Sequence, residues 1–164
     1  MKTYITSALL LCFLCLPAHS AVINLSSTID GAQANAGAGT GSSGTGSAAM
    51  TYDDGTGLFS WNINWSGLTG SAVAAHFHGP ALSNQNAGVT VGIGVGSNPA
   101  IGSASITGLQ AADLLAGLWY INIHTAANPG GEIRGQVSVV PIPAAAWLFI
   151  SALGGLAALK RRKA

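Results

Sequence analysis

The stretch that most constrains the fold is Leu118 to Val137, LWYINIHTAANPGGEIRGQV. Trp119, Ile121 and Ile123 alternate with Tyr120, Asn122 and His124, the period-2 pattern of a strand with one apolar and one polar face. Asn128-Pro129-Gly130-Gly131 then supplies turn chemistry, since proline fixes φ and glycine accepts positive φ. On the return, Ile133 and Val137 share one face, and Glu132, Arg134 and Gln136 share the other. The pattern predicts a hairpin that carries His124, Glu132 and Arg134 on its polar side.

Those polar residues matter because the chain has few others. Only 7 % of its 164 residues are charged. Between residues 21 and 140 the acids are Asp30, Asp53, Asp54, Asp113 and Glu132, and Arg134 is the single base, a net charge of −4. The overall +1 comes from basic residues in the tails. An acidic middle with one arginine argues against nucleic acid as a partner, which requires several cationic phosphate contacts. Both cysteines, Cys12 and Cys15, lie near the N-terminus. If that segment is removed, the mature protein has no disulfide, no thiolate metal ligand and no thiol nucleophile.

Three segments follow. Residues 1–20 read as a secretory signal peptide: Lys2, an apolar core from Ile5 to Leu16, then Ala18-His19-Ser20 before a cleavage point at Ala21. Residues 21–139 read as one all-β domain, with many short alternating runs separated by turns and one helix predicted over Thr107–Gly117, where Thr107 and Gln110 form a capping box. Asp54-Gly55 marks a hairpin between Ala49–Asp53 and Leu58–Trp65. Gly31 to Ser47, rich in Gly, Ala, Ser and Thr, reads by itself as a flexible loop, with small residues packed along a sheet edge as the alternative. The tryptophans Trp61, Trp65 and Trp119 stand at strand spacing and are expected in the core. Residues 140–164 pair an apolar run, Ala144 to Leu159, with the basic cluster Lys160, Arg161, Arg162 and Lys163, the pattern of a transmembrane helix with its C-terminus inside.

His76 and His78 stand two apart, hence on one face of a strand, and His124 lies on the polar face of its own. If the strands neighbour each other, three imidazoles converge near Glu132 and Arg134. Two readings stay open. Three neutral imidazoles with an open position suit a copper or zinc ion, with Glu132 orienting a histidine from behind. Alternatively Asn122, Glu132 and Arg134 form a structural polar network, with Glu132 and Arg134 as an ion pair and the histidines as neutral donors and acceptors. No catalytic residues are assigned, and no Gly-x-Ser-x-Gly elbow or phosphate loop is present.

Two resemblances extend this reading. His76-Phe77-His78-Gly79-Pro80-Ala81, Gly117-Leu118-Trp119-Tyr120-Ile121-Asn122-Ile123-His124-Thr125 and Asn128-Pro129-Gly130-Gly131-Glu132-Ile133-Arg134-Gly135-Gln136 resemble the chordin-type (CHRD) domain over roughly residues 22–138. The chain departs from that pattern where relatives often carry Gln-Glu-x-Pro, since here Ala34 follows Gln33. The resemblance implies an antiparallel β-sandwich of immunoglobulin-like or superoxide-dismutase-like type, found in bacterial extracellular proteins and animal chordins.

Val140-Pro141-Ile142-Pro143-Ala144, with the apolar run and basic end behind it, resembles a sorting signal of the VPLPA, or PEP-CTERM, type. That resemblance implies an exosortase-type partner enzyme in a Gram-negative bacterium. It further implies transient anchoring in the inner membrane, then release to the cell surface or extracellular matrix. The expected product is an exported, non-enzymatic structural or binding module, with extracellular polysaccharide or matrix proteins as partners. Its alternative is a metal-binding extracellular domain built on His76, His78 and His124.

Overall fold

The computed structural model describes residues 20–141 of the chain. The signal-peptide segment up to residue 19, and Ile142, Pro143, Ala144 and the basic cluster of the tail, lie outside the described residues. Among the described residues no helix is long and apolar enough to cross a membrane.

The described residues form nine strands. They are β1 (Val22–Asp30), β2 (Thr45–Asp53), β3 (Leu58–Ser66), β4 (Ala72–His78), β5 (Val89–Ile93), β6 (Ala100–Ser105), β7 (Tyr120–Thr125), β8 (Ile133–Gln136) and β9 (Ser138–Val139). They join in one antiparallel sheet in the order β5-β4-β7-β8-β1-β2-β3-β6, with β9 on β1. The end strands β5 and β6 also touch, so the sheet is nearly closed. β3 and β4 are far apart in that order, yet the Phe59 and Phe77 rings meet edge-on at 5.0 Å. The two layers expected from the sequence are therefore opposite halves of one rolled sheet. Helix α1 (Gly108–Leu115) carries the predicted capping box, with Thr107 and Gln110 each bonding the other's backbone.

Alternation sorts the side chains as the sequence implies. Ile121, Ile123 and Ile133 are fully buried with Phe59, Ile63 and Phe77, and Trp61 and Trp119 join the same core. Trp65 is partly buried against it. Burying a side chain of this size contributes about 2 kcal/mol.

The Gly31 to Ser47 segment departs from the flexible-loop reading and follows the alternative of small residues packed beside the sheet. Thr45 to Ser47 already belong to β2, paired with Ile29, Thr28 and their neighbours on β1, and a 3-10 turn spans Asn35–Gly37. The segment is tied down at its middle, where Thr40 donates to the Glu132 carbonyl at 2.8 Å and Ser42 to the Glu132 carboxylate at 2.6 Å. Its small side chains allow that approach, since a Cβ on Gly44 would crowd Leu68 and Ile133. Gln33, where the family element is missing, donates to Thr28 and Asp30 and accepts from the Gln136 amide, so it still fastens the loop to β8.

Candidate metal centre

β4 and β7 are antiparallel neighbours, with Ala74 opposite His124, His76 opposite Asn122 and His78 opposite Tyr120. Directly opposed residues in a sheet share a face. Phe77 and Ile121 point inward, so His76, His78 and His124 meet on the outside. One ligand atom from each lies within 4.8 Å of those of the other two. His78 is only 9 % exposed, and His76 and His124 are half-buried.

Two of the tautomers follow from the partners. A carbonyl only accepts, so a ring nitrogen beside one must carry the proton. His78 Nδ1 is 3.0 Å from the Ala87 carbonyl, and His124 Nδ1 is 2.9 Å from the Pro129 carbonyl. The Nε2 atoms of both rings therefore present lone pairs. His78 Nε2 is buried without any hydrogen-bond partner. His124 Nε2 lies 3.4 Å from His76 Nδ1, long for a hydrogen bond. It is close to the about 3.3 Å that separates two nitrogens bound to one tetrahedral ion at zinc distances.

Electrostatics favour the neutral form of His78 and His76. Burial lowers the His78 pKa below its ordinary 6.5, more than the Ala87 carbonyl raises it, and positive charge at His76, His124 or Arg134 lowers it further. Burial, then the neighbouring His124, lowers His76 in the same way. Neutral imidazole is the form that ligates metal. The arrangement has three nitrogen donors, two of them oriented by backbone carbonyls, and a solvent-facing side.

The surrounding residues hold the donors in place. The Tyr120 ring stacks on His78 at 5.0 Å with an interplanar angle of 6°. Its hydroxyl accepts from the Ala87 amide at 3.1 Å. Asn122 donates to the Gly130 carbonyl at 3.0 Å, next to the carbonyl that holds His124. Gly131 has φ +116°, and a Cβ there would run into the Asn122 amide, so that position needs glycine.

Glu132 and Arg134 correct the sequence expectation. They make no ion pair, and Glu132 orients no histidine. Glu132 lies in the turn before β8, where strand alternation does not govern its direction. Its fully buried carboxylate accepts from Ser42 Oγ, the Thr69 amide, Thr69 Oγ1 and Thr125 Oγ1 at 2.6–2.8 Å. Burial pushes its pKa up, but these hydrogen bonds outweigh it and bring the value down to about 2. Arg134 points the other way and donates to the carbonyls of Leu82 and Gln85 and to Asn86 Oδ1 at 2.8–3.2 Å.

Tyr120, Ser42, Thr69, Thr125 and the carbonyls of Ala87 and Pro129 were not singled out from the sequence. Tyr120 carried a signal, standing on the polar face of β7 with Asn122 and His124, and Thr125 ends the same family block.

Fold and cluster together define an all-β domain that displays a three-histidine site on the outside of its sheet. A family model, that of the CHRD domain, matches residues 25–137, and the chain belongs to this family. No curated protein and no solved structure matches the chain.

Proposed function

We propose that the protein is an exported, non-enzymatic CHRD module of the cell surface or extracellular matrix that holds a copper or zinc ion on His76, His78 and His124. The observation that carries this reading is the buried, unpartnered His78 Nε2 beside two further imidazole nitrogens. A buried polar atom without a partner costs about 1–3 kcal/mol, and a bound ion removes that cost. The donor set favours late first-row ions, for which imidazole is a common ligand. Binding rather than catalysis is supported by Glu132, a carboxylate already committed to Ser42, Thr69 and Thr125. Export is supported by the signal-type start and by Val140-Pro141-Ile142-Pro143-Ala144 ahead of an apolar run and basic end, which suit an exosortase-type partner and transient anchoring in the inner membrane.

The test of the metal reading is titration of the purified full chain with Zn²⁺ and with Cu²⁺, beside the H76A/H78A double variant. One ion per chain in the parent and none in the variant is expected, and equal, near-zero uptake in both overturns it. Deleting Pro141 to Ala164 should abolish processing and alter surface display. Unchanged localisation and processing would remove the sorting part.

A further inference from the structure

Arg134 is the most unusual residue near the site. Its side chain is 2 % exposed, yet no carboxylate pairs with it. Burial lowers its pKa, and Tyr120 raises it. A guanidinium keeps its proton at any ordinary pH, so this is a buried cation facing only neutral acceptors. Burying a charge without a counter-ion is costly, and an apolar side chain of similar volume would often be more stable in its place. What the cation does beyond packing is to be sought in its contacts.

Its contacts run by two routes to one ring. Along the first, Arg134 Nη2 donates to the Leu82 carbonyl at 3.1 Å, and Nη1 donates to the Gln85 carbonyl at 2.8 Å and to Asn86 Oδ1 at 3.2 Å. Those bonds pin the segment from Leu82 to Asn86. The next residue, Ala87, supplies the carbonyl that takes the His78 Nδ1 proton. Along the second, Arg134 Cζ sits 3.5 Å from the centre of the Tyr120 ring, and that same ring stacks on His78. Gln136 Oε1, 3.4 Å from Nη2, is the remaining acceptor, and its own amide is anchored on the Ala81 and Gly117 carbonyls. The segment between Pro80 and Gly88 has no regular secondary structure of its own. Besides the Ala81 amide on the Leu118 carbonyl, the Leu82–Gln85 turn and the Ala87 amide on the Tyr120 hydroxyl, it is the Arg134 bonds that tie its 82–86 stretch to β8.

We infer that Arg134 is the positioning residue of the histidine site: by clamping the 82–86 segment and the Tyr120 ring, it fixes His78 with Nδ1 protonated and Nε2 aimed at the ion. The inference rests on the proposed metal site for its purpose but not for its geometry. Arg134 touches neither metal nor donor atom and acts through Ala87 and Tyr120. The partner one bond behind a ligating histidine is worth about 10- to 100-fold in metal affinity, and Arg134 sets where that partner, the Ala87 carbonyl, stands. Lysine keeps the charge but lacks the planar fork that reaches two carbonyls and stacks on a ring at once.

The experiment compares the full chain with Arg134→Met and Arg134→Lys, with Zn²⁺ alone as the probe. Zinc affinity is read by competition with a chromophoric chelator. The His78 tautomer is read in metal-free protein by long-range ¹H–¹⁵N correlation of the imidazole nitrogens. The parent should show a single His78 tautomer, Nδ1–H. Both variants should lose about tenfold or more in affinity and show His78 exchanging between tautomers. Glu132→Ala serves as the control for destabilisation alone and should leave the tautomer intact.

Parent-like affinity and tautomer in a folded Arg134→Met overturn the inference and leave the metal reading standing. A parent that takes no zinc overturns the metal reading, while the tautomer still decides the role of Arg134. If Arg134→Met does not fold, Tyr120→Leu carries the test. It removes the ring that Arg134 covers together with the hydroxyl that accepts from the Ala87 amide, and an unchanged His78 tautomer there counts against the inference.

Discussion

Two polar clusters flank the β7–β8 hairpin, one closed by the protein and one left open. Around Glu132, a buried carboxylate meets four donors within hydrogen-bond distance, drawn from three separate parts of the chain. On the outer face, three imidazoles meet each other, and the most buried of them presents a nitrogen with no partner. Both clusters are about equally hard to assemble, since each joins side chains far apart in sequence. The difference is completion. A network that satisfies itself has stability as its product, whereas a buried nitrogen without a hydrogen-bond partner is the feature on which the proposed metal site rests.

If that contrast is right, the two clusters respond to different insults. Glu132→Ala should have the largest effect on folding, because it strands four donors in a buried site. A loss of about 4 kcal/mol is expected by thermal or chemical unfolding. The molecules that remain folded should bind zinc as the parent does. A comparable loss of zinc affinity in folded Glu132→Ala would mean the clusters are coupled and the contrast false.

His78→Ala should show the reverse. Zinc affinity should fall at least a hundredfold, about 3 kcal/mol, in a chelator competition. Stability should change by less than about 1 kcal/mol, because the lost bond to Ala87 is offset by removing a buried unpartnered nitrogen. A variant that unfolds as readily as Glu132→Ala would instead make His78 a framework residue.

Acid should separate the clusters along a single axis. His76 and His78 have pKa values below 6.5 in the folded chain, so the unfolded chain binds their protons more readily. Their contribution is complete above pH 6.5 and is lost as the pH falls through the depressed values, where protons would also displace the proposed metal. The Glu132 pKa falls from 4.5 to about 2, so its contribution is complete above pH 4.5 and is lost between there and about pH 2. Metal release should thus precede cooperative unfolding on an acid titration followed by metal-sensitive dye and circular dichroism. A single merged transition would erase the distinction.

The open cluster was legible in the sequence and the closed one was not, for a physical reason. His76, His78 and His124 lie inside strands, where a period of two fixes the face each side chain takes. Neighbouring pairing of β4 and β7 was the one added condition, and the structure meets it. Glu132 shares its alternation with Arg134 on paper, but β8 begins only at Ile133, so the rule stops one residue short of it. Its partners Ser42 and Thr69 sit in small-residue loops with no periodicity, 90 and 63 residues away. The acceptors that orient His78 and His124 are backbone carbonyls, which every residue carries and none advertises. The same gap explains why Arg134 read as a partner for Glu132 rather than as a clamp on the 82–86 segment.

Asn122 tests the seam between the clusters, and its expected effect is the smallest. It stands opposite His76 on one side and Arg134 on the other, and its side-chain amide donates to the Gly130 carbonyl. That bond steadies the turn whose Pro129 carbonyl orients His124 and whose far end delivers Glu132. Asn122→Ala removes one hydrogen bond from a residue with 7 % exposure, so a stability loss of about 1 kcal/mol is expected. Because the turn holds only one of the three donors, zinc affinity should fall a few-fold, by less than the about tenfold or more expected at Arg134. The ratio of the two effects is the informative quantity. A large loss of stability with parent-like zinc binding would assign the turn to the Glu132 network alone. A loss of zinc binding at parent stability would extend the open cluster through His124 into the turn.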